Sequence, residues 1–281
     1  MKKILVSLLA IFAITLQVSA ATTWVAKNRV TTVGKQLLTK NAITAKLTFK
    51  VVDGTADNST ASSTKVVNIS SDELQYAGND SEVAAAISNE LGHIICCHAD
   101  KSRLLNYVLN GSGAQNAVSS SDTASAGADY LSSKFSEKET EEADITGVNL
   151  MIKAGYNPLA MIVWITKQPG SALDIIKSQP NNFDRAMATY KYLYYAYPQK
   201  VKAGYSCQEY KIFLISADKQ MKKLTKNKRK LSKFKKEQAK MIQEYQMNLQ
   251  KYKTNGGLNG WGVTYDLLTT PADDTTNSTS K

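Results

Sequence analysis

One helix constrains this chain more than any other segment. Asn79-Asp80-Ser81-Glu82 is a capping cluster: Asn79 offers an oxygen to the unpaired amides of a first helical turn, and Glu82 follows three residues later. From Val83 to about His98 the apolar residues Val83, Ala86, Ile87, Leu91, Ile94 and Ile95 keep helical spacing. This predicts a largely buried helix. Yet it carries Asn89, Glu90 and His93, polar groups that a core admits only when they are satisfied. Gly92 costs about 1 kcal/mol relative to alanine inside a helix. Something is therefore expected to pack closely against the backbone there.

The spacing of these polar residues points to metal chemistry. An HExxH helix sets two histidines at i and i+4 on one face, with a glutamate between them as general base. Glu90 and His93 hold two of those places, and Asn89 stands where the first histidine would be. The chain has two histidines, His93 and His98. If the helix continues, five residues turn through about 500°, so His98 is expected about 140° from His93, unable to close the same site. Standing alone, His93 reads first as a hydrogen-bonded core histidine.

The N-terminus reads as a secretory signal. Lys2-Lys3 precede the apolar run Ile4 to Leu16, and Val18-Ser19-Ala20 supplies small residues for cleavage after Ala20. The mature protein is expected to be periplasmic or secreted, and soluble. The three cysteines, Cys96, Cys97 and Cys207, leave two readings open. Cys96 and Cys97 are small buried apolar residues, or one of them pairs with Cys207.

Along the mature chain, Val25 to Leu38 has helical spacing. Thr44 to Val52 and Lys65 to Ile69 read as strands split by a polar turn from Asp53 to Ser63. Asn110 to Ala128 is a Ser/Gly/Ala-rich loop. Helices are expected from Glu137 to Lys153, from Asn157-Pro158 through Trp164, and from Asn181 to Tyr197. The fold class is α+β, mostly helical, with a small sheet beside the Glu90–His93 helix. The organisation is a signal peptide (1–20), a domain (21–204), a basic amphipathic helical extension (205–253) and a polar, disordered tail (254–281).

The extension reads as one long helix. Leu214, Ala217, Met221, Leu224, Leu231, Ile242, Tyr245, Leu249 and Tyr252 follow a heptad seam of coiled-coil type, interrupted by Lys228, Lys235 and Gln238. Lys219 to Lys240 holds eleven basic residues and one acidic residue, Glu237, so this segment carries nearly all of the net charge of +11. It is a solvated face, a tether to an anionic envelope surface, or a partner helix. No nucleic-acid partner is expected, because the fingers and aromatic-rich sheets that read bases have no counterpart here.

Several blocks in order resemble the exported branch of metallopeptidase family forty-eight, the gluzincins related to the CAAX prenyl protease. They are Phe49 to Asp53, Glu82 to Ile87 leading into Glu90-Leu91-Gly92-His93, Glu142 to Gly147, Ala154 to Pro158, and Ser178-Gln179-Pro180 with Asp184-Arg185. The resemblance implies a zincin-like fold and a zinc endopeptidase. It assigns the zinc ligands to Asn89, His93 and Thr140, the base to Glu90, the carboxylate that orients His93 to Asp144, and supporting roles to Arg185 and Gln179. Two of those three ligands are replaced, and Gln179 stands where the closing block usually has a histidine. An amide and a hydroxyl are poor zinc donors beside imidazole. The expectation is a pseudo-protease that binds peptide or unfolded segments without cutting them, with zinc absent or weakly bound. The alternative is an active enzyme with rearranged ligands: His93, Cys97, and Glu139 or Glu141.

Overall fold

The computed structural model describes residues 24–54, 60–61, 66–98, 137–168 and 182–254. The signal segment, the loop Asn110 to Ala128, Gln179 and the tail beyond Thr254 lie outside the described residues.

Helix α1 (Ala26–Lys40) turns Val30, Val33 and Leu37 into the core. It packs on strand β1 (Thr48–Val52) so tightly that a Cβ on Gly34 would stand 2.6 Å from the Phe49 ring. β1 pairs in parallel with β3 (Val66–Ser70), matching Phe49 to Val67 and Val51 to Ile69. A short β2 (Thr60–Ala61) joins β3 antiparallel, so the sheet order is β1-β3-β2. Both expected strands form, and β2 lies within the stretch read as a turn. Val67 and Ile69 are fully buried on one face of β3, as period-2 alternation requires. A single turn, α2 (Ser71–Leu74), follows, capped by Ser70 Oγ accepting from the Asp72 amide at 3.1 Å.

Helix α3 (Asp80–Ile95) starts as expected, with Asn79 Oδ1 accepting from the amides of Ser81 and Glu82 at 2.9 and 3.2 Å. It is buried on every side from Glu82 to Ile95. Helix α4 (Glu137–Ala154) crosses it backbone to backbone. A Cβ on Gly92 would lie 2.8 Å from the Ala143 carbonyl carbon and Cα, and one on Gly147 would lie 2.9 Å from the Ser88 carbonyl oxygen. This is the close approach that Gly92 predicted. Helix α5 (Leu159–Lys167) is buried from Leu159 to Ile165, and α6 (Asn182–Ala196) packs on it. A short α7 (Pro198–Ala203) leads to Gly204.

The extension forms two helices, α8 (Gln208–Lys226) and α9 (Lys228–Thr254), where one was expected. Asn227 divides them: its backbone is extended, and its Oδ1 accepts from the Lys230 amide at 3.0 Å. A side chain that caps a new helix competes with continuing the old one. The pair folds back on the domain, α8 against α5 and α6, and α9 against α6, α4 and α3. Ala217, Met221, Phe234 and Tyr252 join the same core as α3, and Gln238, read as a break in the seam, is itself buried. The seam therefore packs on the domain and on its own hairpin. The eleven basic residues from Lys219 to Lys240 are all exposed. Among the described residues, no helix is long and apolar enough to cross a membrane.

Candidate functional site

The α3–α4 crossing places Asn89 and Asp144 face to face. Ala143 rests on Gly92, so the next residue of α4 points at the α3 position one turn before that glycine. Asn89 Nδ2 donates to Asp144 Oδ1 at 2.8 Å. Arg185 grips the same carboxylate with two bonds, Nε to Oδ2 at 2.6 Å and Nη2 to Oδ1 at 2.7 Å. Its guanidinium also lies over the Trp164 ring, 5.3 Å from the centroid. Asp144 was expected to orient His93. It holds Asn89 instead, because the crossing brings that residue within reach.

Glu90 is buried beside this network. Burial drives its carboxyl well above the usual carboxylate range, Glu73 adds to the effect, and Arg185 opposes it.

His98 is not where continued helical geometry would put it. The helix ends at Ile95, and Cys97 takes a left-handed backbone with φ of 57°. The chain doubles back, and His98 Nδ1 comes to 2.9 Å from His93 Nδ1. Both rings are buried, edge to face. The expectation that His98 points away from His93 is corrected by that one turn. On its other side, His98 Nε2 lies 3.2 Å from Glu142 Oε2. A carboxylate can only accept, so Nε2 donates to it. In the tautomer with Nε2 protonated, His98 Nδ1 accepts from the Nδ1–H of His93. Burial holds the His93 imidazole well below the usual histidine value, with His98 and Arg185 adding to that.

The structure gathers Cys96, His98 and Glu142, with one ligand atom of each lying within 4.8 Å of the others. Among the described residues, this is the group that could hold a metal ion. Cys97, Glu139 and Glu141, the substitutes proposed from sequence, are not in it. Cys97 turns the backbone, and its Sγ lies 3.9 Å from the Ile95 carbonyl. Thr140 and Glu139 are half-buried near the start of α4. Glu141 lines a cleft between α4 and α9 together with Glu142, Thr146, Tyr245 and Asn248. Burial raises its carboxyl, with Asp144 adding. Sequence reasoning missed Cys96 and Glu142 because each adjoins a residue that looked better placed. The signal available was Glu142 to Thr146, an i, i+4 pair that shares the α4 face meeting the end of α3. No disulfide joins the three cysteines, so the pairing with Cys207 is not formed. Cys207 Sγ instead accepts from the Tyr210 amide at 3.4 Å, at the start of α8.

A family model described as peptidase family M48 matches residues 24–193. The chain belongs to peptidase family M48. No curated protein and no solved structure matches it significantly. An M48 peptidase implies zinc, and the residues that the resemblance assigns as its ligands, Asn89, His93 and Thr140, do not fit that ion. The Asn89 amide turns its N–H groups, which are donors without lone pairs, toward Asp144. Thr140 offers only a hydroxyl. His93 is left as the one strong donor there, where a stable site needs three. The Cys96, His98 and Glu142 set offers thiolate, imidazole and carboxylate, each a good zinc donor.

Proposed function

We propose that this M48 chain is an exported pseudo-protease that binds extended peptide or unfolded protein without cutting it. The Asn89–Asp144 bond carries this reading. The carboxylate is spent on Asn89 and Arg185, and no metal-activated water is available to Glu90 at the M48 position. Strand β2 is a sheet edge on the side that meets α3, which supports addition of an extended segment there by main-chain hydrogen bonds. The test is anisotropy with a labelled unstructured peptide, together with mass spectrometry of casein after long incubation. Binding with intact substrate is expected. Cleavage lost on Glu90→Gln would overturn the reading, as would an absence of binding.

The exposed lysines of α8 and α9 support a second contact, with an anionic envelope surface. Co-sedimentation with anionic vesicles should fall between low and high salt. Export itself rests on the Lys2-Lys3 charge, the apolar run and the small residues at Val18 and Ala20. Material starting at Ala21 outside the cytoplasm is the expected outcome.

A further inference from the structure

We infer that the chain holds a zinc-class metal ion one helical turn beyond the M48 position. Its ligands are Cys96 Sγ, His98 Nε2 and the Glu142 carboxylate, and His93 is the residue that orients His98. Four observations carry this.

The ligand atoms converge from separate elements. Cys96 ends α3, His98 follows the left-handed turn at Cys97, and Glu142 lies on α4. In a tetrahedral zinc site with bonds of about 2.0–2.1 Å, a nitrogen and an oxygen ligand stand about 3.3–3.4 Å apart. His98 Nε2 and Glu142 Oε2 already stand 3.2 Å apart.

The Cys96 sulfur does not sit as a small apolar group would. Thr146 Oγ1 lies 3.4 Å from it, and Asn248 Nδ2 donates to it at 3.6 Å. Asn248 thus aims a polar donor at this buried sulfur from the side of α9.

His93 supplies the partner that ligating histidines have on their second ring nitrogen. With a metal on Nε2, His98 carries its proton on Nδ1 and donates it to His93 Nδ1, 2.9 Å away. The bond seen between the two rings survives with its direction reversed. The histidine at the M48 ligand position thus serves the displaced site from outside the metal's coordination.

A cleft borders the site. The cleft between α4 and α9 is lined by Glu142, Thr146 and Asn248, and the last two touch Cys96. Three protein ligands leave a fourth position for water from that side. A soft thiolate with imidazole and one carboxylate selects zinc over magnesium or calcium. The site ties the end of α3 to α4 beneath α9. It is independent of whether the cleft cuts peptide.

The test uses the full, untagged, reduced protein. Metal content is measured after dialysis, zinc affinity by chelator competition, and sulfur ligation by the thiolate-to-cobalt absorption band of the cobalt-loaded protein. One metal per chain is expected, with a higher melting temperature than the stripped protein. Cys96→Ser should abolish the cobalt–thiolate band. Glu142→Gln, at a partly exposed position that tolerates change, should weaken zinc at least tenfold while leaving the circular dichroism intact. His93→Gln should weaken zinc by about 10–100-fold with the thiolate band retained, the mark of a positioning residue. Cys97→Ser should bind zinc as the parent does. Binding of no metal by the parent, or a metal lost on Cys97→Ser and kept in Cys96→Ser, would overturn the inference.

Discussion

His93 Nδ1 stands 2.9 Å from His98 Nδ1 because Cys97, between them, holds a left-handed backbone with φ of 57°. An L side chain pays about 1–2 kcal/mol for that conformation, and a β-branched one more. Cys97→Gly should therefore leave stability unchanged or raise it by up to about 1 kcal/mol. Cys97→Val should lower it by about 1–2 kcal/mol and separate the two rings. Urea midpoints and histidine NMR shifts measure both effects. Equal stability of the glycine and valine variants would show that the turn is unimportant.

Gly92 lies against the Ala143 carbonyl with no room for a methyl group. Gly92→Ala gains helix propensity of about 1 kcal/mol, but overpacking a rigid crossing costs about 1–3 kcal/mol or more. Because the obstacle is backbone, the cost should win. A lower melting temperature for Gly92→Ala is expected, and an unchanged or higher one would mean that the helices separate freely.

Asp144 and Arg185 form a buried ion pair, with side chains 1% and 14% exposed. Removing one partner strands the other charge, at about 3–5 kcal/mol. Asp144→Asn and Arg185→Met should each destabilise strongly, and the double variant should cost much less than the sum. Additive losses in denaturant unfolding would show that the two do not act as a pair.

Asn89→His with Thr140→Glu should create zinc binding at the M48 position, since Glu90, His93 and Asp144 are already in place around it. Made in a Cys96→Ser background, the double change should add one zinc per chain. No gain of metal there would mean that the M48 position has lost more than its ligands.

Arg29 and Trp24 both bond Asp80 at the start of α3, at 2.7–2.8 Å and 3.1 Å. The Arg29 guanidinium holds the Asp80 carboxyl below its ordinary value. A depressed carboxyl stabilises the fold fully above the unfolded value of about 3.9, and that contribution fades as pH falls through the lower folded value. The pair is part-exposed, so solvent screens it and the effect should be small. Asp80→Asn should flatten the stability curve below about pH 4, followed by Trp24 fluorescence. A parallel acid limb in the variant would place the effect elsewhere.

The sequence alone settled what depends on local chemistry. Asn79 starts α3 by its own side chain, and Gly92 marks a backbone crossing. The heptad seam follows the inward side of α8 and α9, with Ala217, Met221 and Tyr252 buried and its other residues half-buried. Periodicity records only that a face is covered, so the covering surface, the domain itself, had to come from the tertiary structure. Tertiary structure also decided the partner of Asp144, which follows from how two helices cross. It decided the place of His98, which one residue with positive φ moves from the far side of a helix to the side of His93. The Cys96, His98 and Glu142 group exists only through that turn and that crossing, and neither leaves a periodic trace in the chain.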